Sequence, residues 1–399
     1  MSAMTSLGAM AGDARRPLDV LVVGGGLAGA AAAMELARAG RSVVVVEKMA
    51  RAHDKVCGEF LSAEAIRDLR ELGVDPAALG AVSIERARLA GRLGVREVRL
   101  PFEAMSLSRR VLDEALLMRA AACGASVVRG CSVEELRRGA RGWCAEVAGQ
   151  NGIETVEAEN IVLASGKHDV RGLARPGGVQ SDLVAFKMYF RLARGQSAKF
   201  EGAVELALFH GGYCGLQLVE DGAANVCCVV RKSVLRELGG GWEGLLRAML
   251  RGNALMRERL EGAKPVFARP AAIGSIPYGF VRREAIAEGA WAVGDQAAVI
   301  PSFTGDGMSL ALRSGRMAAR MLVEGRSTAE YQRTFSEQVR RQVALATAVS
   351  RALVVEIPRA VAELAVCAWP GVMRHVAAGT RLREADYGTG RIENSCAAI

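Results

Sequence analysis

The sequence is poor in aromatic residues, at 5%, and has only four histidines. It has nine cysteines but no CxxC pair, and no cysteine stands at metal-ligand spacing from a histidine. These absences argue against a structural zinc site or a disulfide framework, and for a reducing, cytoplasmic setting. No uncharged apolar run reaches the roughly 18 residues of a transmembrane helix. The nearest approach, Val361–Met373, is interrupted by Glu363 and Pro370. The first arginines come late in the N-terminal segment, opposite to a secretory signal, so residues 1–16 read as a flexible tail. The net charge is +9, but the arginines are scattered among acids and no block of like charge is long. With no nucleic-acid module in view, no nucleic-acid partner is expected. Nothing in the sequence speaks to oligomeric state.

What is present is a chain 51% hydrophobic, enough for a sizeable core. Leu18–Val23 reads as a buried parallel strand, Gly24–Gly29 as a turn, Ala30–Ala39 as a helix and Ser42–Glu47 as a second buried strand. A helix is expected over Ala63–Leu72, and half-exposed antiparallel strands over Ile84–Leu100. Ser108–Ala122 reads as an amphipathic helix. Ser126–Arg129, Trp143–Val147, Glu154–Ala158 and Ile161–Ala164 read as four separate strands. Residues 185–230 are rich in strands divided by turn signals, and suggest one inserted antiparallel sheet. Trp242–Leu260 reads as one helix, Ala272–Pro277 and Ala290–Val293 as strands, and Gly307–Leu322 as a helix. Mainly helical chain follows from Thr328, ending in loose residues. The fold class expected is α/β, a Rossmann-like parallel sheet with an inserted antiparallel sheet and C-terminal helices.

Gly24, Gly26 and Gly29 have the G-x-G-x-x-G spacing of a dinucleotide-binding turn. Gly24 permits the tight turn, Gly26 lets backbone approach a pyrophosphate, and Gly29 lets helix and strand pack closely. Leu27 and Ala28 lie between the glycines, where unpaired helix N–H groups meet phosphate. Glu47, followed by Lys48, ends the second strand, where a carboxylate accepts from ribose hydroxyls. The turn alone does not separate FAD from NAD.

Four later segments resemble the flavoprotein monooxygenase superfamily typified by para-hydroxybenzoate hydroxylase, over about Asp19 to Arg326. Lys55-Val-Cys-Gly-Glu-Phe-Leu-Ser62 is similar to the K-x-C-G loop of its geranylgeranyl reductase-like branch. That resemblance implies that Lys55 and Gly58 lie near the flavin. Cys57 is then a pocket wall or a reactive thiol, with a small buried hydrophobe as the plain alternative. Leu107-Ser-Arg-Arg-Val-Leu-Asp113 resembles the R-x-x-L-D segment and implies that Arg109 reaches the cofactor, against a plain surface arginine. The segment ending at Val133 resembles the one whose backbone meets adenine. Val162-Leu-Ala-Ser-Gly-Lys-His-Asp-Val-Arg171 resembles A-D-G-x-x-S-x-x-R, and implies contacts from Ala164 and Gly166. Ser165 stands where that motif has aspartate, which weakens a claim to direct NADPH use. Lys167 and His168 read as loop residues. Val293–Gly315 resembles G-D-A-A-x-x-x-x-P-x-x-G-x-G. It implies that Asp295, after Gly294, accepts from the ribityl chain, and that Gly305, Gly307 and Met308 bring backbone to the flavin.

The cofactor implied is FAD, with NAD(P)H as a candidate electron donor. The organisation expected is an FAD-binding part at 17–81, 103–181 and 282–326, a substrate sheet at 82–102 and 182–281, and a helical region at 327–399. A monooxygenase of secondary metabolism, acting on an apolar or aromatic small molecule, is expected first. A reductase or dehydrogenase acting on a carbon–carbon bond is second. The reductase branch's G-Y-x-W-x-F-P continuation is missing, since Gly215-Leu-Gln-Leu-Val stands there, and a halogenase's W-x-W-x-I-P is absent. Candidate pocket residues are Cys57, Tyr189, Arg191, Tyr213, Gln217, Tyr278 and Phe303. The C-terminal apolar helices are expected to pack, to cover the pocket or to make peripheral membrane contact.

Overall fold

The structure, a computed structural model, describes residues 17–150 and 152–381. The expected tail, 1–16, and the last loose residues lie outside the described residues. Strand β1 (Leu18–Val23) leads through the glycine turn into helix α1 (Leu27–Arg38) and then β2 (Val43–Glu47). The helix begins three residues earlier than the sequence suggests, because extended Gly26 acts as its N-cap. Ten of its twelve residues are buried, which its run of alanines permits. Next come β3 (Phe60–Leu61), α2 (Ala63–Glu71), β4 (Val82–Gly91), β5 (Gly94–Ser106) and α3 (Arg109–Ala122). Ser62 and Ser108 cap α2 and α3 by accepting from the N–H groups of Ala65 and Val111.

Strands β6 (Ser126–Arg129), β7 (Ser132–Gly139), β8 (Gly142–Gly149) and β9 (Gly152–Leu163) complete most of the first sheet. One expectation fails here, and one strand was not foreseen. Glu154–Ala158 and Ile161–Ala164 form one twelve-residue strand, β9. The polar Asn160 that suggested a break is paired instead: its Oδ1 accepts from Trp291 Nε1 at 3.1 Å. Strand β7 was hidden by its charges, which sit on the exposed side of a sheet edge while Leu136 points inward.

The second sheet is built from β10 (Leu183–Arg191), β11 (Ala203–Phe209), β12 (Gly212–Leu218) and β13 (Ala224–Arg231), joined by β4, β5 and β3. A short helix, α4 (Ser197–Phe200), precedes β11. After β13 come α5 (Lys232–Glu237), α6 (Trp242–Gly252) and α7 (Ala254–Arg259). The single helix expected over Trp242–Leu260 is divided at Asn253. That residue is extended, its Oδ1 caps Met256 N–H at 3.2 Å, and its Nδ2 donates to Ala90 and Leu208 carbonyls. Strands β14 (Lys264–Pro265) and β15 (Ala271–Gly274) both pair with β10, and β16 (Phe280–Val281) pairs with β18 (Ala298–Val299). Between them β17 (Ala290–Ala292) returns to the first sheet. Helices α8 (Gly307–Val323), α9 (Thr328–Leu353), α10 (Glu356–Ala368) and α11 (Gly371–Gly379) close the described chain.

The first sheet runs β6-β2-β1-β9-β8-β7, with β17 also against β9. Strands β6, β2, β1, β9 and β17 are parallel, while β7 and β8 fold back antiparallel. Val23 faces both Val46 and Leu163, and Leu163 faces Ala292, so four strands end at one level. In open α/β sheets ligands bind beyond such carboxyl ends.

Helix α8 covers α1 at very close range: a Cβ on Gly315 would lie 2.1 Å from Ala28 O. Beside it, buried Arg316 pairs with Glu35 at 3.0 Å, Asp68 at 2.5 Å and Glu71 at 2.7 Å. One guanidinium thus ties α8 to α1 and α2. Among the described residues no helix is long and apolar enough to cross a membrane.

Candidate active site

The glycines of the turn do different work. Gly24 has φ +104°, and a Cβ there would lie 2.6 Å from Ala164 O. At Gly29 it would lie 2.0 Å from Gly24 O. Gly26 instead opens on space: its added Cβ meets only Arg109 Nη2 and Lys55 Nζ, both at 3.6 Å. No side chain caps α1, so its first N–H groups face the same space. Gly25 is constrained too, though the spacing does not single it out. Its N–H donates to Glu47 Oε2 at 2.8 Å. Glu47 Oε1 accepts from Met49 N–H at 3.0 Å, leaving each oxygen a lone pair for a ribose hydroxyl. Lys48 is exposed just beyond. Val133 is half-buried at the start of β7, brought beside the end of β2 by the Cys131 N–H bond to Glu47 O at 3.3 Å.

Lys55 and Arg109 share one anion. Asp113 binds Lys55 Nζ at 2.8 Å and Arg109 through both carboxylate oxygens, at 2.8 and 2.9 Å. Burial works against the Asp113 charge, but the two cations hold its pKa below the usual carboxylate range. Burial works likewise against Arg109, but Asp113 and then Cys57 together outweigh it, so its pKa is raised. Two cations against one carboxylate leave a net positive charge beside an open helix N-terminus, the setting for a pyrophosphate. His53 lies near Lys55, Glu47 and Asp113. Burial and then Lys55 lower its pKa, which keeps it neutral.

The other side of the site comes from the late part of the chain. Gly294 has φ +59°, and its Cβ would lie 3.1 Å from Ala28 Cβ. Asp295 receives Lys167 Nζ at 3.1 Å on Oδ2 and Arg175 Nη1 at 2.8 Å on its carbonyl. Lys167 therefore does more than fill a loop. Ser165, in the place of the family's aspartate, donates to His168 O at 2.6 Å and accepts from Gln296 Nε2 at 3.1 Å. Gln296 Nε2 also donates to Gly166 O at 2.9 Å, fixing the loop after Ala164. Gly305 cannot carry a side chain, since a Cβ would meet the Phe60 ring at 2.3 Å. Gly58 and Gly307 are clear, with no atom within 4 Å of an added Cβ. Met308 is buried in the core, so only its backbone can face a cofactor.

The sheet grips the Cys57–Gly58 loop from the opposite side. Gln217 Nε2 donates to Gly58 O at 2.8 Å, and Asn225 Nδ2 donates to Gly58 O at 3.0 Å and Cys57 O at 3.2 Å. Glu59, at φ +62°, is fully buried. Its carboxylate pairs with Lys187, accepts from Tyr189 Oη at 2.7 Å and from Arg109 N–H at 2.7 Å. Lys187 Nζ also donates to Tyr189 Oη at 2.8 Å. Burial raises the Glu59 pKa, with Lys187 opposing. Burial, reinforced by Glu59, raises that of Tyr189. Tyr189 is thus part of the loop's anchor. Sequence reasoning missed Glu59, Lys187, Asn225 and Asp113. The signal available was a lysine inside the apolar run Ala185–Phe190.

Tyr213 and Phe303 meet edge to face with ring centroids 5.9 Å apart, and Tyr213 Oη lies 3.4 Å from Ser302 Oγ. Burial pushes the pKa of Tyr213 and of Tyr278 well above the phenol range, so both keep their protons. They belong to an apolar cluster that includes Ala185, Val229 and Ile276, with Val56 and Phe303 packed against it. Arg191 is exposed at the sheet edge opposite Lys264, outside this group.

The residues fit a dinucleotide. Gly26 leaves a clear cradle between two cations and a helix N-terminus, while Gly58 and Gly307 leave room for a flat ring. The FAD binding domain family matches residues 17–177. Digeranylgeranylglycerophospholipid reductase 2 of Methanopyrus kandleri is 30% identical over 320 residues, 77% of this chain and 77% of that protein. Menaquinone reductase of Mycolicibacterium smegmatis is 27% identical over 355 residues, 86% of this chain and 85% of that one. Among solved structures, a geranylgeranyl bacteriochlorophyll reductase-like protein from Thermoplasma acidophilum superposes with a TM-score of 0.72 at 19% identity, covering 88% of this chain and 90% of its own. A flavin-dependent brominase gives 0.74 at 16% identity, covering 91% and 94%. The chain is an FAD-dependent oxidoreductase and belongs to the geranylgeranyl reductase-like branch of the para-hydroxybenzoate hydroxylase-like flavoproteins.

Proposed function

We propose that this protein reduces a carbon–carbon double bond of an apolar, isoprenoid-like lipid, with NAD(P)H as the candidate source of electrons. The carrying observation is the chemistry beside the flavin loop. The Tyr213–Tyr278 cluster, against which Val56 of that loop packs, is apolar, and both phenols hold their protons. Such a wall suits an uncharged hydrocarbon and offers no base to ionise a phenol. The names of the relatives point the same way, since both are reductases. The monooxygenase that stands first in the sequence reading therefore takes second place.

In this reading residues 17–81, 103–181 and 282–326 bind FAD, and 82–102 with 182–281 form the substrate side. The chemistry that bound, reduced FAD would supply there is hydride transfer to one carbon of the double bond. Lys55, Arg109 and the α1 N-terminus would hold the pyrophosphate; Glu47 would accept from ribose and Asp295 from the ribityl chain. The second carbon takes a proton, for which the Cys57 thiol is the candidate donor on the flavin loop. Tyr213, Tyr278 and Phe303 shape the apolar wall and exclude water.

The test is anaerobic. The bound flavin is reduced with dithionite and mixed with geranylgeranyl lipids or menaquinone. Flavin reoxidation with saturation of one double bond is expected. Oxygen-18 appearing in product, only when labelled dioxygen is admitted, would establish the monooxygenase instead.

A further inference from the structure

We propose that the outer face of α10, with the tip of the β4–β5 hairpin, docks on the surface of an anionic lipid bilayer. Thirteen large apolar side chains are exposed among the described residues, and six of them fall between Leu345 and Trp369. On α10 itself Ile357 is 77% exposed, Val361 60% and Leu364 59%, at the spacing of one helix face. Trp369, 58% exposed, follows directly. Contiguous exposed apolar faces mark interaction sites, and tryptophan suits the headgroup level.

The face is held rigidly outward. On the opposite side of α10, Arg359 donates to Phe209 O and pairs with Glu363 at 3.6 Å. Glu363 accepts from Arg92 N–H at 2.8 Å, and Cys367 Sγ lies 3.9 Å from Leu93 O. These bonds set α10 against the hairpin tip, where Leu93 and Val95 are also exposed. The stripe is therefore not a helix awaiting a partner from the described fold.

Charge selects the bilayer as occupant. From residue 340 to 381 the exposed charges are Arg340, Arg341, Arg351, Arg374 and Glu356. Arg92 neutralises Glu356 at 3.1 Å. Arg340 and Arg351, with Arg283, also line a cavity of about 290 Å³ that has no acidic residue in its wall, a fit for a phosphate headgroup. An exposed apolar helix face in a segment whose exposed charges are net basic is the pattern of an interfacial helix on anionic lipid. The apolar path also continues inward. Ala362 of α10 packs with Leu353, Val354 and Tyr213 against the cluster that reaches Val56 and Phe303. A lipid substrate could pass from the bilayer to the flavin loop along it; that last step rests on the proposed function, whereas docking does not.

The experiment is co-sedimentation of the full-length FAD-loaded protein with phosphatidylcholine vesicles, with and without phosphatidylglycerol. Binding to the anionic vesicles, weakened by salt, is expected. The combined variant Ile357→Glu, Val361→Glu and Leu364→Glu should lose about tenfold or more in vesicle affinity while keeping FAD and its melting temperature. Arg340→Glu with Arg351→Glu should weaken binding only where phosphatidylglycerol is present. A wild-type protein that stays in the supernatant overturns the proposal, as does a combined variant that sediments equally well. A solution dimer that the combined variant dissociates, with no vesicle binding, would assign the face to a second copy. A chain ending at Arg381 that binds when the full chain does not would assign it to residues 382–399.

Discussion

The two walls of the site are built on opposite principles. The dinucleotide wall works by leaving side chains out, so backbone meets backbone at Gly24, Gly29 and Gly315. The sheet wall works by burying charge, with Glu59, Lys187 and Tyr189 satisfying one another where water is excluded. At those three glycines the first tolerates no added atom. The second tolerates no unpaired one.

The largest effect should come from Gly29→Ala. Its Cβ would enter the van der Waals shell of Gly24 O. A loss of about 3 kcal/mol or more is expected, read as a collapsed yield of folded protein. Glu59→Gln comes next. It strands a buried ammonium and should cost about 3–5 kcal/mol in denaturant unfolding. Adding Lys187→Met should recover part of that loss, because the unpaired charge is gone. Equal instability of single and double variants would show that the network is not where the energy lies.

Gly26→Val separates ligand binding from folding. Its Cβ makes only ordinary contacts, 3.6 Å from Arg109 Nη2 and Lys55 Nζ, so apoprotein stability should fall by about 1 kcal/mol or less. FAD affinity measured by fluorescence should fall about a hundredfold, roughly 2.8 kcal/mol. A stable variant with unchanged FAD affinity would remove the pyrophosphate from this cradle.

Asp306 gives the smallest and most conditional effect. It is fully buried at the N-terminus of α8, paired with Arg381 at 2.6 Å, with Glu64 nearby. Burial pushes its pKa up to about 7, with Arg381 offsetting part of the shift. A raised carboxyl pKa means the folded state holds the proton more tightly. The contribution is fully present below the unfolded value near 3.8 and is lost as pH rises to about 7. Asp306→Asn should therefore flatten the decline in melting temperature from pH 5 to pH 8. An unchanged slope would place the titration elsewhere.

The dinucleotide wall was legible because its rules are local. Strand, glycine spacing and acid lie within some 30 residues, where short-range rules place them together. Gly25 escaped because its constraint, the bond to Glu47, appears only once the strand end is placed. The sheet wall was largely illegible. Lys187 and Asn225 are satisfied by the Cys57–Glu59 loop more than 120 residues away, and periodicity cannot pair residues at that range. Strands β7 and β9 were misread for a related reason, since polar residues were taken at face value before their partners were known.

Arg316 is 281 residues from Glu35, its partner across the α1–α8 contact. During synthesis α1 emerges with its alanine face ready and nothing to place against it. At about 5–20 residues per second, the ribosome delivers the covering helix roughly 15–60 seconds later. The alanine face of α1 thus waits for a neighbour made 281 residues later.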